Sequence, residues 1–152
     1  MVTIRAATEE DLEAILQIET HSFPAPWNEA AFQIYFQFFP DLFFIASKDG
    51  TTVGYIIASI HQEANNRRIG HLDSIAVAQP YRRQSIGRQL MMRIFRAFEE
   101  KGCQEALLVV RVSNQAAQQL YRSFGFQVKS RLNRFYEGED GFVMVKNLEG
   151  DL

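Results

Sequence analysis

Cysteine is almost missing from this chain of 152 residues: Cys103 is the only one, so no intrachain disulfide can form. Together with His21, His61 and His71 it shows neither H-x3-H nor C-x2-C ligand spacing, which removes zinc modules and predicts no metal. Charge of one sign is not in excess, with 16 Lys and Arg against 18 Asp and Glu and a net charge of −2. The chain therefore lacks the basic bias of counterion-driven nucleic-acid binding, and any anion site must be local. No apolar run approaches the roughly 20 residues of a membrane span, and Met1–Glu10 has no basic stretch followed by an apolar one. These absences predict a cytoplasmic protein with neither nucleic acid nor membrane as partner. No repeat, low-complexity tract or linker interrupts the rest. Its 47% hydrophobic and 22% charged residues predict one globular domain over residues 1–152.

Periodicity orders the chain into alternating elements. Val2 to Ala6 alternates as a short strand, and Thr8 is placed to cap a first helix whose opening turn carries Glu9, Glu10 and Asp11. Leu12, Ile15, Leu16 and Ile18 recur at helical spacing before Pro24 and Pro26 bar continuation. Asn28 opens a second short helix crowded with Phe32, Tyr35, Phe36, Phe38 and Phe39, more aromatic surface than one core stripe requires. Two β-rich runs, 42–48 and 51–61, flank Asp49-Gly50, a strong hairpin signal. A strand over 70–77, a loop over 79–85 and a helix over 86–101 stopped by Gly102 form the central unit. Ala106–Val112 reads as a strand buried on both faces, followed by a helix from Ser113 or Asn114 to about Ser123 that Gly125 ends. Strands at 126–130 and 142–145 complete an α/β domain with mixed strand directions and helices on both faces.

The loop carries the chemistry. Ala78-Gln-Pro-Tyr-Arg-Arg-Gln-Ser-Ile-Gly-Arg88 holds three arginines, a serine and a glycine where a strand turns into a helix N-terminus. Unpaired N–H groups and the helix dipole favour a diphosphate there, with arginines around it. Neither G-x-x-x-x-G-K-[ST] nor G-x-G-x-x-G is present, so nucleoside triphosphatase and Rossmann readings fall away. Taken alone, the loop is equally readable as an arginine-capped helix start.

The loop does not stand alone. Leu72-Asp-Ser-Ile-Ala-Val77, Tyr81-Arg-Arg-Gln-Ser-Ile-Gly-Arg88 and the stretch Val110-Arg-Val-Ser-Asn-Gln-Ala-Ala-Gln-Gln-Leu-Tyr-Arg-Ser-Phe-Gly-Phe126 resemble, in order and spacing, the GNAT acetyltransferase superfamily. Within it the chain is most similar to the protein N-terminal acetyltransferases, including the bacterial ribosomal-protein alanine N-acetyltransferase. Phe23-Pro-Ala-Pro-Trp27 resembles their F-P-W element, and Phe135-Tyr136 followed by Glu139-Asp140 their late Y-Y…E-D segment. The resemblance implies a GNAT fold, with a mixed central sheet of about six or seven strands, splayed at a cofactor cleft and flanked by about four helices. It also implies an acetyl-CoA-dependent N-acetyltransferase working by direct attack in a ternary complex.

Residue by residue, the resemblance assigns Ile75, Ala76 and Val77 to the pantetheine arm, which pairs like an extra strand. The pyrophosphate falls to Arg82, Arg83, Gln84, Ser85, Ile86, Gly87 and Arg88. Ser85 stands where the family has its first loop glycine and, if left-handed, costs about 1 kcal/mol. Tyr121 is assigned as the general acid toward the CoA sulfur, and Asn114, seven residues earlier and thus on one helix face with it, as a cofactor or substrate contact. Without the motifs, a helix cap and a half-buried core aromatic describe the same two residues. Val109 occupies the position of the carboxylate in the bacterial L-E-V-R segment, so the base passes to His71, which Asp73 at i+2 can tune, or to Glu19. Phe23, Trp27 and Tyr136 are placed at the acceptor entrance.

The acceptor's own acidity bears on the reading. At pH 7.5 roughly a quarter of protein α-amines but only about one lysine side chain in a thousand are neutral, which favours a protein N-terminus as substrate for an enzyme with a weak base. A small amine (a polyamine, an amino acid or an antibiotic-like compound) and a non-catalytic acyl-CoA-binding module remain open, as does the choice between monomer and weak homodimer.

Overall fold

The computed structural model describes residues 1–149; the expected domain end at residue 152 lies outside the described residues. Strands β1 (Val2–Ala6), β2 (Phe43–Lys48), β3 (Thr51–Gln62), β4 (Arg68–Val77), β5 (Glu105–Arg111), β6 (Gln127–Tyr136) and β7 (Glu139–Asn147) form a sheet in the order β1-β2-β3-β4-β5-β7-β6. Helices α1 (Leu12–Ser22), α2 (Glu29–Phe38), α3 (Ile86–Glu100) and α4 (Gln115–Ser123) complete the described elements, with short 3-10 turns at Glu9–Asp11, Pro40–Leu42 and Gln79–Tyr81. This is the mixed α/β class expected, with seven strands and four helices among the described residues. The chain divides into two compact units, one of Met1–Ser59 with Leu72–Glu100, the other of Ile60–His71 with the chain from Lys101 onward.

In the first unit, β1, β2 and β3 run antiparallel, with Phe43 opposite Ile57 and Ile45 opposite Tyr55. The turn between β2 and β3 has both Asp49 and Gly50 at positive φ, 51° and 80°, the geometry a two-residue hairpin of matching twist demands. Strand parity then sorts the core. Phe43, Ile45, Tyr55 and Ile57 pack with Leu12, Ile15 and Ile18 of α1 and Phe32 of α2. On the opposite parity, Phe44 meets the Arg93 guanidinium of α3 at 4.2 Å, and Gly54 lies where a Cβ would stand 3.3 Å from Leu90 Cδ1 and 3.1 Å from the Ala76 carbonyl. Both faces of β2 and β3 are therefore covered, as the unbroken buried run Val53–Ser59 requires. Each fully buried Ile, Leu or Phe contributes about 1.5–3 kcal/mol. The start of α1 is fixed by Asp11, whose carboxylate accepts from the Thr8 N–H at 2.8 Å and is held by both terminal nitrogens of Arg5, also at 2.8 Å.

In the second unit, β4 enters parallel to β5 with Ile69 opposite Glu105 and His71 opposite Leu107. β5 pairs antiparallel with β7, and β7 with β6. Two expectations are corrected here. β5 is not buried on both faces: Ala106, Leu108 and Val110 are buried while Leu107, Val109 and Arg111 are half-exposed, so its apolar run alternates in environment though not in composition. β6 continues to Tyr136 and turns through Gly138 (φ 78°) into β7, with Arg131 and Leu132 paired to Phe142 and Gly141, and Tyr136 to Glu139 across an irregularity that includes Arg134 at φ 50°.

Candidate active site

The first unit carries the arginine-bearing loop between β4 and α3. Arg83 and Ser85 both adopt left-handed φ, 65° and 64°, so the strain foreseen at Ser85 is present and is shared by Arg83. Each costs about 1–2 kcal/mol relative to an ordinary conformation. Gly87 lies in the first turn of α3, where a Cβ would meet no heavy atom within 4 Å, so its missing side chain leaves the approach to the helix N-terminus open. Arg82 turns back onto the protein, its Nε donating to the Val77 carbonyl at 2.9 Å and its Nη2 standing 3.4 Å from Ser22 Oγ. Arg83, Gln84, Ser85 and Arg88 are exposed, whereas the Ile86 side chain is buried, which leaves only its backbone to face a ligand. Gln84 Oε1 accepts from Lys48 Nζ at 2.9 Å, a contact between β2 and the loop that no motif announced.

Glu19 is the second feature of this unit. Helical spacing from Leu12 and Ile15 places it at i+7 and i+4 on the inward stripe of α1, and it is only 2% exposed. Its carboxylate accepts from the Tyr55 hydroxyl, from the Trp27 N–H at 2.9 Å and from Ser74 Oγ at 3.4 Å. Burial, reinforced by that carboxylate, pushes the Tyr55 hydroxyl far above its ordinary pKa. Glu19 thus pins the segment that carries Phe23 and Trp27. The Trp27 ring stacks on Tyr35 at 5.5 Å and lies 5.4 Å from Phe32, while Phe23 packs half-buried against the same core. The Tyr35 hydroxyl donates to Asp73 at 2.9 Å, and Ser59 Oγ reaches the same oxygen at 2.6 Å. Sequence reading missed Tyr55 and Ser74; the signal was a single hydroxyl-bearing ring in an otherwise apolar run, since a buried tyrosine needs a partner.

The second unit holds His71, Tyr121, Asn114 and Tyr136. The His71 ring packs against His61 at 4.3 Å between centroids. Tyr121 is 9% exposed, rests edge-on against Phe126, and has no hydrogen-bond partner for its hydroxyl among the described residues. Burial, with a smaller contribution from Tyr136, pushes its pKa up to about 12. Asn114 stands at the N-cap of α4, at φ −86° and ψ 74°, where its Oδ1 accepts from the Ala117 N–H at 3.1 Å. Gln118 is buried one turn before Tyr121. Its Nε2 donates to the Arg111 and Val112 carbonyls at 3.1 and 2.9 Å and locks α4 to the end of β5.

Tyr136 reaches the Val109 carbonyl with its hydroxyl at 3.1 Å, beneath the Arg111 guanidinium 4.2 Å from its ring. Gly141 makes room for this, since a Cβ there would stand 2.8 Å from Val109 Cγ1 and 3.2 Å from Tyr136 Cε2. The neighbouring carboxylates are both engaged. Glu139 accepts from the Ser113 N–H at 2.7 Å and Arg111 at 3.2 Å, and Asp140 from Arg131 and the Arg134 N–H, each at 2.8 Å. These bonds hold both acids below the usual carboxylate range, with Ser113 dominant for Glu139 and Arg134 for Asp140. Among the described residues no group of three or more His, Cys, Asp or Glu is arranged to hold a metal ion.

The first unit presents an open helix N-terminus after a strand and a loop, and the second a buried tyrosine on α4. The chain belongs to the acetyltransferase (GNAT) family, whose model matches residues 12–126. It is 34% identical to the N-alpha-acetyltransferase of Sulfurisphaera tokodaii, over 95% of this chain and 92% of that protein. The ribosomal-protein-S18-alanine N-acetyltransferase of Escherichia coli superposes with a TM-score of 0.86 at 28% identity, covering 100% of this chain and 97% of that one. Arabidopsis thaliana Naa50, solved with the bisubstrate analogue CoA-Ac-MVNAL, shares the fold with a TM-score of 0.83 at 21% identity, over 96% and 98% of the two chains.

Proposed function

We propose that the protein is an acetyl-CoA-dependent N-terminal acetyltransferase. The observation that carries this reading is the likeness to a named N-alpha-acetyltransferase along nearly the full length of both proteins. The family match runs through both compact units, which supports treating residues 1–152 as one catalytic domain. No described helix is long and apolar enough to cross a membrane. We place the protein in the cytoplasm, as a monomer or weak homodimer.

The residues present fit the donor. Arg83 to Arg88 and the open first turn of α3 suit its pyrophosphate, and the backbone of Ile75, Ala76 and Val77 suits its amide-rich arm. Acetyl-CoA supplies the activated acyl group. Tyr121 holds the proton that the departing sulfur needs, because burial keeps its hydroxyl protonated across the working range. His71 receives the proton of the acceptor amine; Glu19 serves by fixing the Trp27 segment, and Phe23, Trp27 and Tyr136 are assigned to the first acceptor residues. Val109 cannot take a proton, so an α-amine, already partly neutral at pH 7.5, is the acceptor class that asks least of this site.

The test is thiol release from acetyl-CoA with short peptides bearing different free N-termini, beside blocked lysine peptides and spermidine. Turnover confined to free N-termini is expected. Turnover with spermidine alone would shift the assignment to small amines, and binding of acetyl-CoA with no turnover on any acceptor would make the chain a binding module.

A further inference from the structure

We infer that Lys48, at the end of β2, is a phosphate-binding residue of the donor site. The inference rests on the acetyltransferase reading above and adds to it a residue that lies outside every motif of the loop. Thirty-six residues separate Lys48 from Gln84, yet Nζ donates to Gln84 Oε1 at 2.9 Å and stands 5.9 Å from the centre of the Tyr81 ring. Its ammonium is therefore brought to the middle of the loop by tertiary structure, with β2 fixed on both sides by β1 and β3.

The electrostatics of that position point to an anion. An ammonium carries three donors, and the contacts here are a neutral amide and the face of a ring. Among the described residues Lys48 makes no ion pair with a carboxylate within 4.0 Å, although Asp49 follows it in sequence. Half-buried and already oriented, it needs little further ordering to take a phosphate oxygen. Arg82 meanwhile spends its guanidinium on the Val77 carbonyl and Ser22, so one of the loop's own cations is turned toward the protein. Lys48 restores that cation from a different element. Gln84, the loop residue that meets Lys48, lies between the left-handed positions Arg83 and Ser85.

The ligand chemistry is a phosphate of the donor, either the pyrophosphate or the 3′-phosphate. Titration of the intact protein with acetyl-CoA and with dephospho-CoA, by calorimetry at low and high salt, separates them. Lys48→Gln removes the charge and leaves a shorter, neutral amide side chain. It is expected to weaken acetyl-CoA about tenfold, with the loss shrinking as salt rises, and Lys48→Arg is expected to restore most of it. Loss for acetyl-CoA and dephospho-CoA alike places the contact on the pyrophosphate; loss for acetyl-CoA alone places it on the 3′-phosphate. Unchanged affinity in a Lys48→Gln protein with wild-type melting temperature overturns the inference and leaves the donor site standing. Failure of the wild-type protein to bind acetyl-CoA overturns both.

Discussion

The Tyr55 hydroxyl, on β3, donates to the Glu19 carboxylate, on α1, and the two side chains are among the most deeply buried polar groups of the first unit. A carboxylate sunk in an apolar core persists only when its oxygens are satisfied, and here Tyr55, Trp27 and Ser74 supply the donors. The same carboxylate fixes the main chain at Trp27, so a stabilising contact and the shape of the segment from Phe23 to Trp27 depend on one residue.

Removing the Tyr55 hydroxyl leaves Glu19 buried with a donor lost. Tyr55→Phe is expected to destabilise the fold by about 1–3 kcal/mol, read as a lower urea midpoint at unchanged slope. Ser74→Ala, which removes the longer contact, is expected to cost less. Equal midpoints for wild type and Tyr55→Phe would show that Glu19 does not depend on this donor.

Alkaline stability follows from the tyrosines. Burial raises the pKa of Tyr35, Tyr55, Tyr121 and Tyr136 above the ordinary value near 10. Between the unfolded value and the raised folded value the native state holds more protons than the unfolded chain, so stability is full below about pH 10 and falls as pH rises beyond it. Tyrosinate absorbance is expected to grow in one cooperative step together with loss of helical ellipticity. Gradual ionisation of these residues in a folded protein would contradict their burial.

Ser85 separates conformational strain from side-chain chemistry. Glycine relieves a left-handed penalty of about 1–2 kcal/mol but adds about 0.5–1 kcal/mol of unfolded-chain entropy, so Ser85→Gly is expected to gain about 0.5 kcal/mol. Ser85→Val, β-branched at the same φ, is expected to lose more than 1 kcal/mol. Melting temperatures moving in opposite directions would confirm the strain; a fall for both would place the role of Ser85 in its hydroxyl.

The sequence made the elements legible because their signals are local: the Asp49-Gly50 turn, the Asn28 and Asn114 caps, and Gly102 and Gly125 at helix ends all lie where the chain announces them. What escaped is tertiary. β6 runs past Ser130, where its apolar signal ends, because Arg131 and Leu132 pair with Phe142 and Gly141 of β7. Val109 looks buried by composition, but only its neighbours Leu108 and Val110 are. Gln118 falls on the inward stripe of α4 and was passed over because its side chain is polar, while Glu19, named as a candidate base, lies buried on the inward stripe of α1; a polar side chain in a core means a fixed partner rather than a surface. The Lys48–Gln84 contact joins residues that no periodicity relates.

Tyr121 gives the sharpest functional outcome. With a pKa raised to about 12 and no hydrogen-bond partner for the hydroxyl among the described residues, Tyr121→Phe removes a proton donor and little else from the fold. A general acid contributes about 10²–10⁴-fold to rate, so kcat is expected to fall by at least about a hundredfold while acetyl-CoA affinity and melting temperature stay near wild type. The sign of the pH dependence is equally specific. An acid with so high a pKa stays protonated from pH 7 to pH 10, so the wild-type rate should rise as the acceptor amine and the base lose protons and then level without an alkaline decline. The variant should trace the same curve at lower height. An alkaline limb near pH 9 that disappears in Tyr121→Phe would show that the hydroxyl titrates in the working range, against the burial that raises it.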